Sequence, residues 1–524
     1  MNAKRWILVA AVLGSGIVFL DSTVVNVALP RIGRDLTRSF LGVLEGQSYI
    51  YNAYLLSLSA LLILAGALSD FYGRRRMFLI GLIGFGVTSV LCGLAPNMEL
   101  LVLFRVLQGA AGAVLVPGSL ALLTANFKGE EQGRAFGTWA GASGATTILG
   151  PVVGGLLVDT ISWRAAFLIN VPLILAAVWA TWKHIPESRD DEAPPHFDWL
   201  GAAVVAVAVG GLAFGTIYGQ QRAWRDPIGY VALAAGVVAT VALPILMLRS
   251  RHPLIPPHLF SSRNFTVTNI STFLIYGALY VSFYYLALFQ QGTLGYTAAA
   301  AGAAGIPGSL FLIFLSRRFG SLAARYGPRW FMAIGPVIMA LGVLWFVRVP
   351  GTSTPWRLQP ADPSTYLPPL SYVTDFLPAS IIFGVGIMIL VAPLTTALMT
   401  SVPVQNSGVG SAINNAISRV GPQLAGALIF VFLTANFYAA LASRLPGVDV
   451  TSTSFRSLVS PLNTPADPRL VDFVRDASTS SFHLAMLVGA GLLLVGALVN
   501  AIGIRNAASV KPDATIEQVA QAGA

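Results

Sequence analysis

The sequence has a single cysteine, Cys92, and it lies inside an apolar run. No internal disulfide can form, and cysteine-based redox or metal chemistry drops out. The five histidines, at 184, 196, 252, 258 and 483, are scattered and show no ligand spacing. No metal site and no cofactor are therefore expected. A phosphate-cradling Gly-x4-Gly-Lys-Ser/Thr loop is absent, so nothing points to nucleotide hydrolysis. Charge is scarce too. Asp, Glu, Lys and Arg make up 10% of the residues, against about 25% in a soluble globular chain.

Apolar sequence fills that space. Of 524 residues 55% are hydrophobic, and the mean hydropathy is +0.72. This composition excludes a single soluble domain and predicts an integral membrane protein. Gly 52 and Pro 31 fit, since both are more frequent in spanning helices than in soluble ones. The apolar run from Trp6 is longer than a signal-peptide core and lacks a clear cleavage site, so it reads as an anchor.

A span needs about 20 mostly apolar residues. Fourteen stretches qualify: 6–29, 47–68, 77–95, 99–123, 133–158, 164–183, 199–218, 228–248, 265–290, 297–316, 330–349, 375–400, 407–435 and 481–503. Lys and Arg set the orientation. With a cytosolic N-terminus, the short inner loops receive Arg74, Arg75, Arg76, Lys128, Arg134, Lys183, Arg189, Arg249, Arg251, Arg263, Arg317, Arg318, Arg325 and Arg329. The outer face holds Arg31, Arg34, Arg38 and four more near 440–480, but long translocated loops count for little. Both termini are expected in the cytosol. The net charge of +10 then reports topology, and no nucleic-acid partner is expected.

The chain repeats internally. "GALSDFYGRRRM" at 66–77 and "GSLAARYGPRWF" at 320–331 share Gly66/Gly320, Leu68/Leu322, Tyr72/Tyr326, Gly73/Gly327 and Arg75/Arg329 at one offset. "GPVVGGLL" from 150 and "GPQLAGAL" from 421 share Gly150/Gly421, Pro151/Pro422 and Gly155/Gly426. Two six-span blocks related in this way imply a transporter with its site between the halves. The spans at 199–218 and 228–248 belong to neither block and read as an inserted hairpin.

One acid is out of place. In "FLDSTVVNVALP" (19–30), the apolar run before Asp21 is too short to cross the bilayer alone, at 1.5 Å per residue against a core of about 30 Å. Asp21 is therefore submerged, where an ionised carboxylate costs about 2.5–3.5 kcal/mol on insertion scales. Pairing, protonation or an aqueous cavity can relieve that cost. Arg105, in the fourth span, lies at a matching depth. Asp21 reads as a proton carrier and Arg105 as its modulator; a structural bond from Arg105 to backbone carbonyls is the alternative.

These motifs resemble the major facilitator superfamily, specifically its fourteen-span drug:proton antiporter branch, over about residues 6 to 503. The resemblance is carried by "LDSTVVNVALP" (20–30), "GALSDFYGRRR" (66–76), "RVLQGAAGAVLVP" (105–117), "GASGATTILGPVVGG" (141–155) and "SWRAAFLINVP" (162–172), in this order and on these spans. It implies an all-α integral membrane protein with the major facilitator fold: two six-helix bundles plus two additional linker helices, with fourteen transmembrane helices. The expected divisions are an N-terminal bundle at 1–186, a linker at 187–262, a C-terminal bundle at 263–504 and a polar, disordered cytosolic tail at 505–524. The resemblance also implies a conformational latch at Gly66, Asp70, Gly73 and Arg74, with Asp70 meeting the start of the thirteenth span near Asn406–Ser407. The second copy has Ala324 at the aspartate position, so a charged latch is asymmetric. Gly141, Gly150, Pro151, Gly154 and Gly155, with Gly144, resemble the antiporter signature. Polyvalent-cation exporters of this branch carry a further acid in a C-terminal-half span. Here Asp375 sits only at a span boundary, which disfavours dicationic cargo.

Other candidates are balanced between cavity and core. Tyr276, Tyr280, Tyr284 and Gln291 in the ninth span, Tyr51, Tyr54 and Trp139, and Asn414 with Arg419 could line a substrate cavity or simply pack. Arg419 has no acid in its own half, so it is either a structural pin or a partner for Asp21 across the cavity. The expected function is a proton-coupled exporter of small amphipathic or lipophilic compounds such as drugs, working by alternating access as a monomer in the cell membrane. Its expected partners are substrate, protons and membrane lipids. A lipid or glycolipid exporter on the same fold is the alternative, and a membrane enzyme or passive channel a minor one.

Overall fold

A computed structural model describes residues 3–36, 43–188, 196–222, 224–359, 362–445, 448–450, 452–465 and 467–506. The expected tail beyond residue 506, Arg38 and Arg189 lie outside the described residues, as do the side chains of Arg34, Pro151 and Tyr280. Fourteen long helices carry the fold. We label them α1 (Ala3–Asp35), α2 (Val43–Tyr72), α3 (Arg74–Gly93), α4 (Met98–Asn126), α5 (Gly129–Thr160), α6 (Asn170–His184), α7 (Trp199–Gln221), α8 (Pro227–Arg249), α9 (Arg263–Leu288), α10 (Ile306–Tyr326), α11 (Arg329–Trp345), α12 (Leu377–Thr400), α13 (Ser407–Arg444) and α14 (Val471–Gly503). Among the described residues, thirteen helical segments are long and apolar enough to cross a membrane. The remaining expected span, 133–158, is the 32-residue helix α5.

Several helices outrun their apolar stretches. α13 continues to Arg444, and α14 begins at Val471, ten residues before its expected start. Backbone hydrogen bonding carries a helix past the hydrocarbon edge into polar sequence, where hydropathy gives no signal.

Helices α1–α6 pack together, and so do α9–α14. The repeated residues explain how each block closes. Gly73 and Gly327 both have positive φ, 108° and 88°, a region where a side chain is strained. Gly73 immediately precedes the third helix of its block and Gly327 lies two residues before its own, and each start is capped from the segment after the sixth helix. Glu187 accepts from the backbone N–H of Arg75 and Arg76, both at 3.0 Å; Asn506 accepts from that of Arg329 at 3.1 Å. Arg75 donates to the carbonyl of Trp182 in α6 (2.6 Å), and Arg329 donates to that of Ala501 in α14 (2.7 Å). The Arg75/Arg329 match is thus a tie between third and sixth helices. Gly150 packs on Leu20 and Thr23 of α1, as Gly421 packs on Phe273 of α9.

α7 and α8 form a hairpin through backbone-close glycines. A Cβ on Gly215 would lie 2.5 Å from the Leu233 nitrogen, and one on Gly236 would lie 2.5 Å from the Leu212 nitrogen. α7 docks on α2 and α13, while Val231, Val238, Val241 and Leu248 of α8 are exposed, a surface suited to lipid.

The start of α1 and the end of α14 lie on one face, here the terminal face; the opposite one is the distal face. The largest hydrophobic cluster joins α1–α6 to Leu398, Val402, Val409, Ala412 and Ala416 of the second bundle. The cluster around Leu20, Val24 and Trp163 belongs to the first bundle alone, and that around Phe437 and Val474 to the second. Every hydrogen bond between the bundles, among the described residues, lies in the terminal half. The hydrogen-bonded seam between the bundles thus lies toward the terminal face.

Candidate functional site

Asp21 is fully buried inside the first bundle, and so is Arg105. Arg105 Nη1 donates to Asp21 Oδ2 at 2.5 Å. The depth match between the first and fourth spans is therefore a contact. More donors converge than the sequence suggested. Gln108 Nε2 donates to Asp21 Oδ1 at 3.2 Å, and Asn170 Nδ2 donates to the same oxygen at 3.0 Å. Gln108 and Asn170 also both donate to Ser89 Oγ, at 2.7 and 3.2 Å. Arg105 is itself fixed by Gln108 Oε1 (2.7 Å) and the Ile50 carbonyl (3.2 Å). The Tyr54 ring lies 4.0 Å beneath its guanidinium. One carboxylate thus organises side chains from α1, α2, α3, α4 and α6. Arg105 combines both readings, since it pairs with Asp21 and bonds a backbone carbonyl.

Tyr54 belongs to this cluster. It is fully buried, and its hydroxyl donates to the Val18 carbonyl at 3.2 Å, so it lines no open cavity in this conformation. Gln108 could have been found from sequence: it lies three residues after Arg105 in the same quoted motif and hence on the same helix face. Asn170 lies in "SWRAAFLINVP", but nothing in its spacing reveals that α6 turns it toward α1.

The second constellation is on the terminal face. Asp70 Oδ1 accepts from the Gly408 N–H at 3.1 Å and Oδ2 from that of Val409 at 2.9 Å. These are the first-turn donors of α13, left without partners within the helix. Arg74 donates to Asp70 through Nε and Nη2, at 3.2 and 3.1 Å, and also to the Val404 carbonyl across the seam. Small residues permit the approach. A Cβ on Gly66 would lie 2.4 Å from the Gly408 oxygen, and one on Gly408 would lie 2.5 Å from the Gly66 oxygen. Gly73 places Arg74 and is itself pressed by Glu187, whose Oε1 lies 2.7 Å from where a Cβ would be. Sequence reading missed Glu187, because the cap comes from a loop beyond the sixth span.

The pseudo-equivalent seam joins α5 and α10. A Cβ on Gly133 would lie 2.3 Å from the Gly320 oxygen and 2.8 Å from the Ala324 Cβ. An aspartate in place of Ala324 would face α5, whose first turn already carries Glu130 and Glu131. Glu130 instead accepts from Ser321 Oγ at 2.7 Å, so this seam takes its acid from the helix start. The antiporter-signature glycines divide between two partners. Gly141 and Gly144 face Ile313 and Leu312 of α10 across the seam, whereas Gly150, Gly154 and Gly155 face α1 within the bundle.

The remaining candidates lie in different surroundings. Trp139 is buried and donates from Nε1 to Ser15 and Ser119 at 2.9 and 3.1 Å, a tie inside the bundle. Asn414 donates to Asn269 Oδ1 and Thr272 Oγ1 of α9 at 3.1 and 2.8 Å. Tyr51 and Tyr276 are half-buried, while Tyr284 and Gln291 are exposed. The neighbouring Tyr285 is the one that ties α9 to α13, through the Gly426 carbonyl at 3.3 Å. Arg419 is half-buried and makes no ion pair with Asp21, whose cationic partner is Arg105.

The pattern described as Major Facilitator Superfamily matches residues 11–426. The puromycin resistance protein pur8 of Streptomyces alboniger is 33% identical over 449 residues, covering 84% of each chain. The tetracenomycin C resistance and export protein of Streptomyces glaucescens is 31% identical over 437 residues, 83% of this chain and 77% of that one. The multidrug resistance protein Stp of Mycobacterium tuberculosis is 31% identical over 439 residues, 84% of this chain and 77% of that one. Among solved structures, the major facilitator proton:xylose symporter XylE superposes with a TM-score of 0.55 at 15% identity, covering 94% of each chain, a likeness of fold alone.

Proposed function

Because the chain belongs to the Major Facilitator Superfamily, and is thus a multi-pass membrane transporter rather than an enzyme, we propose that it is a proton-coupled exporter of small amphipathic compounds. It would act as an antiporter in the cell membrane, with both termini cytosolic, exchanging protons for drug-like cargo. The relatives named for antibiotic resistance and export support the cargo class. The proton reading is carried by the sealed Asp21 cluster.

Asp21 meets three donors and no acceptor. A proton added there takes the acceptor site the three donors leave and removes the charge that holds Arg105, so loading it favours a rearranged cluster. The partners sit on α4 and α6, so protonation is linked to how α1 packs on both. Asp21 has no solvent access here, so on this reading proton exchange belongs to another step of the cycle. The Asp70 latch supplies the conformational counterpart. It holds the terminal seam shut, the outward-facing arrangement for cytosolic termini, and beyond its hydrogen bonds a carboxylate at a helix start gains about 0.3–1 kcal/mol from the helix dipole, up to about 2 when partly buried. The driving force suffices. One charge through 100 mV is worth about 2.3 kcal/mol and one pH unit about 1.4 kcal/mol, together several hundredfold in concentration of a neutral substrate.

Proteoliposomes holding the purified chain and an internal pH dye test this reading. Adding an amphipathic drug such as puromycin should move protons opposite to drug, in proportion to the protein present. Drug movement without any proton movement would refute proton coupling.

A further inference from the structure

Arg419 is the deep charge that the proton-coupling cluster and the latch leave unused. It lies twelve residues into α13, about 18 Å along the helix at 1.5 Å per residue, near the middle of a hydrocarbon layer of about 30 Å. A charge at that depth is costly and is ordinarily paired or directed into a water-filled space. The charges the fold buries are paired: Asp21 with Arg105, and Asp70 with Arg74. Among the described residues, Arg419 makes no hydrogen bond and no ion pair. Its neighbours spend their polar groups within the helix, Asn415 on the Ser411 carbonyl and Ser418 on the Asn415 carbonyl.

Its position is at the junction of the bundles. α13 packs on α2 and α4 of the first bundle and on α9 of its own. Arg419 lies within electrostatic reach of Tyr54 on α2, whose ring covers Arg105. It is half-buried, and among the described residues the hydrogen bonds between the bundles lie toward the terminal face, so Arg419 stands beyond that hydrogen-bonded seam. The remaining acids do not neutralise it: Asp21 is enclosed behind Tyr54 and bound to Arg105, and Asp70 is held on the terminal face. Among the described residues, the junction therefore carries a positive charge with no acid paired to it.

We propose that Arg419 is a counter-charge for cargo, and that the exporter favours amphipathic compounds bearing a carboxylate or another acidic group over cationic ones. The guanidinium would take the anionic oxygen atoms as a planar two-pronged donor, and the aromatic body of the cargo would lie between the bundles. The proposal rests on the exporter reading and adds the sign of the cargo's charge to it.

Fluorescein and rhodamine 6G share a xanthene ring system and carry opposite charge. Fluorescence-polarisation titration of the purified full chain with each dye, without any proton gradient, reads this site alone. Arg419→Ala should weaken fluorescein about tenfold or more, as expected for a lost charge-assisted contact, and leave rhodamine 6G unchanged or tighter. Arg419→Lys, which keeps the charge but not the two-pronged donor, should bind fluorescein between the unaltered protein and the alanine variant. Where the alanine variant does not purify as a single species, Arg419→Gln replaces it. Equal weakening of both dyes, no effect on either, or no saturable fluorescein binding to the unaltered protein overturns the proposal. A failed proton-coupling assay with this charge dependence intact would instead refute only the coupling.

Discussion

Replacing Asp70 by asparagine keeps the side-chain shape and removes its charge. In the closed seam both carboxylate oxygens accept from α13, one from the Gly408 N–H and the other from that of Val409. Asparagine has one acceptor oxygen, so one contact becomes N–H against N–H. The other drops from a charge-assisted bond to a neutral one. A hydrogen bond to a charged group contributes about 1.5–3 kcal/mol, and a neutral bond about half that. Together they take about 2–4 kcal/mol from the latched state, and Arg74 loses its anion as well. At 1.4 kcal/mol per decade the latched-to-open ratio falls roughly 30- to 700-fold. Spin labels at Arg76→Cys and Arg325→Cys, exposed on the terminal face of each bundle, report the seam by pulsed electron–electron resonance. The buried Cys92 is first replaced by serine. Asp70→Asn should move the distance distribution toward longer separations. An unchanged distribution, or one shifted to shorter distances, would refute the latch.

Gly73→Ala forces a Cβ at φ 108° and 2.7 Å from Glu187 Oε1; it should cost about 1–3 kcal/mol, read as a lower thermal midpoint. Adding Glu187→Ala should recover part of that loss, because the two residues touch. Arg105→Lys keeps the charge but cannot serve Asp21, Gln108 and the Ile50 carbonyl together; export should fall by about tenfold or more while the protein still purifies as a single species. Trp139→Phe leaves Ser15 and Ser119 bonded to each other at 2.5 Å, so it should cost about 1 kcal/mol and leave the relative export of different drugs unchanged. A changed order of preference would return Trp139 to the cargo path.

Much of the architecture was legible because membrane spans and internal repeats leave long-range marks. Gly73/Gly327 and Arg75/Arg329 were matched as letters, and the structure gives each match a common job. Asp21 and Arg105 could be paired by depth, since rise per residue is fixed. The cluster's other members were hidden for a physical reason. Asn170 reaches Asp21 through the way α6 crosses α1, and Ser89 joins only through Asn170 and Gln108, by the packing of α3 on α6 and α4; helix crossings leave no periodicity in sequence. Tyr54 and Trp139 looked equally suited to cavity or core, because an aromatic with one polar atom fits either. Burial decided both. Glu187 was missed because a loop acid capping another helix shares no spacing with it.

Proton coupling turns on Asp21. In proteoliposomes with an imposed pH gradient, Asp21→Asn should abolish proton-driven uphill export. Exchange of labelled for unlabelled drug at equal pH should persist, because that reaction needs no proton step. Uphill export at the unaltered rate with asparagine in place would contradict the coupling role.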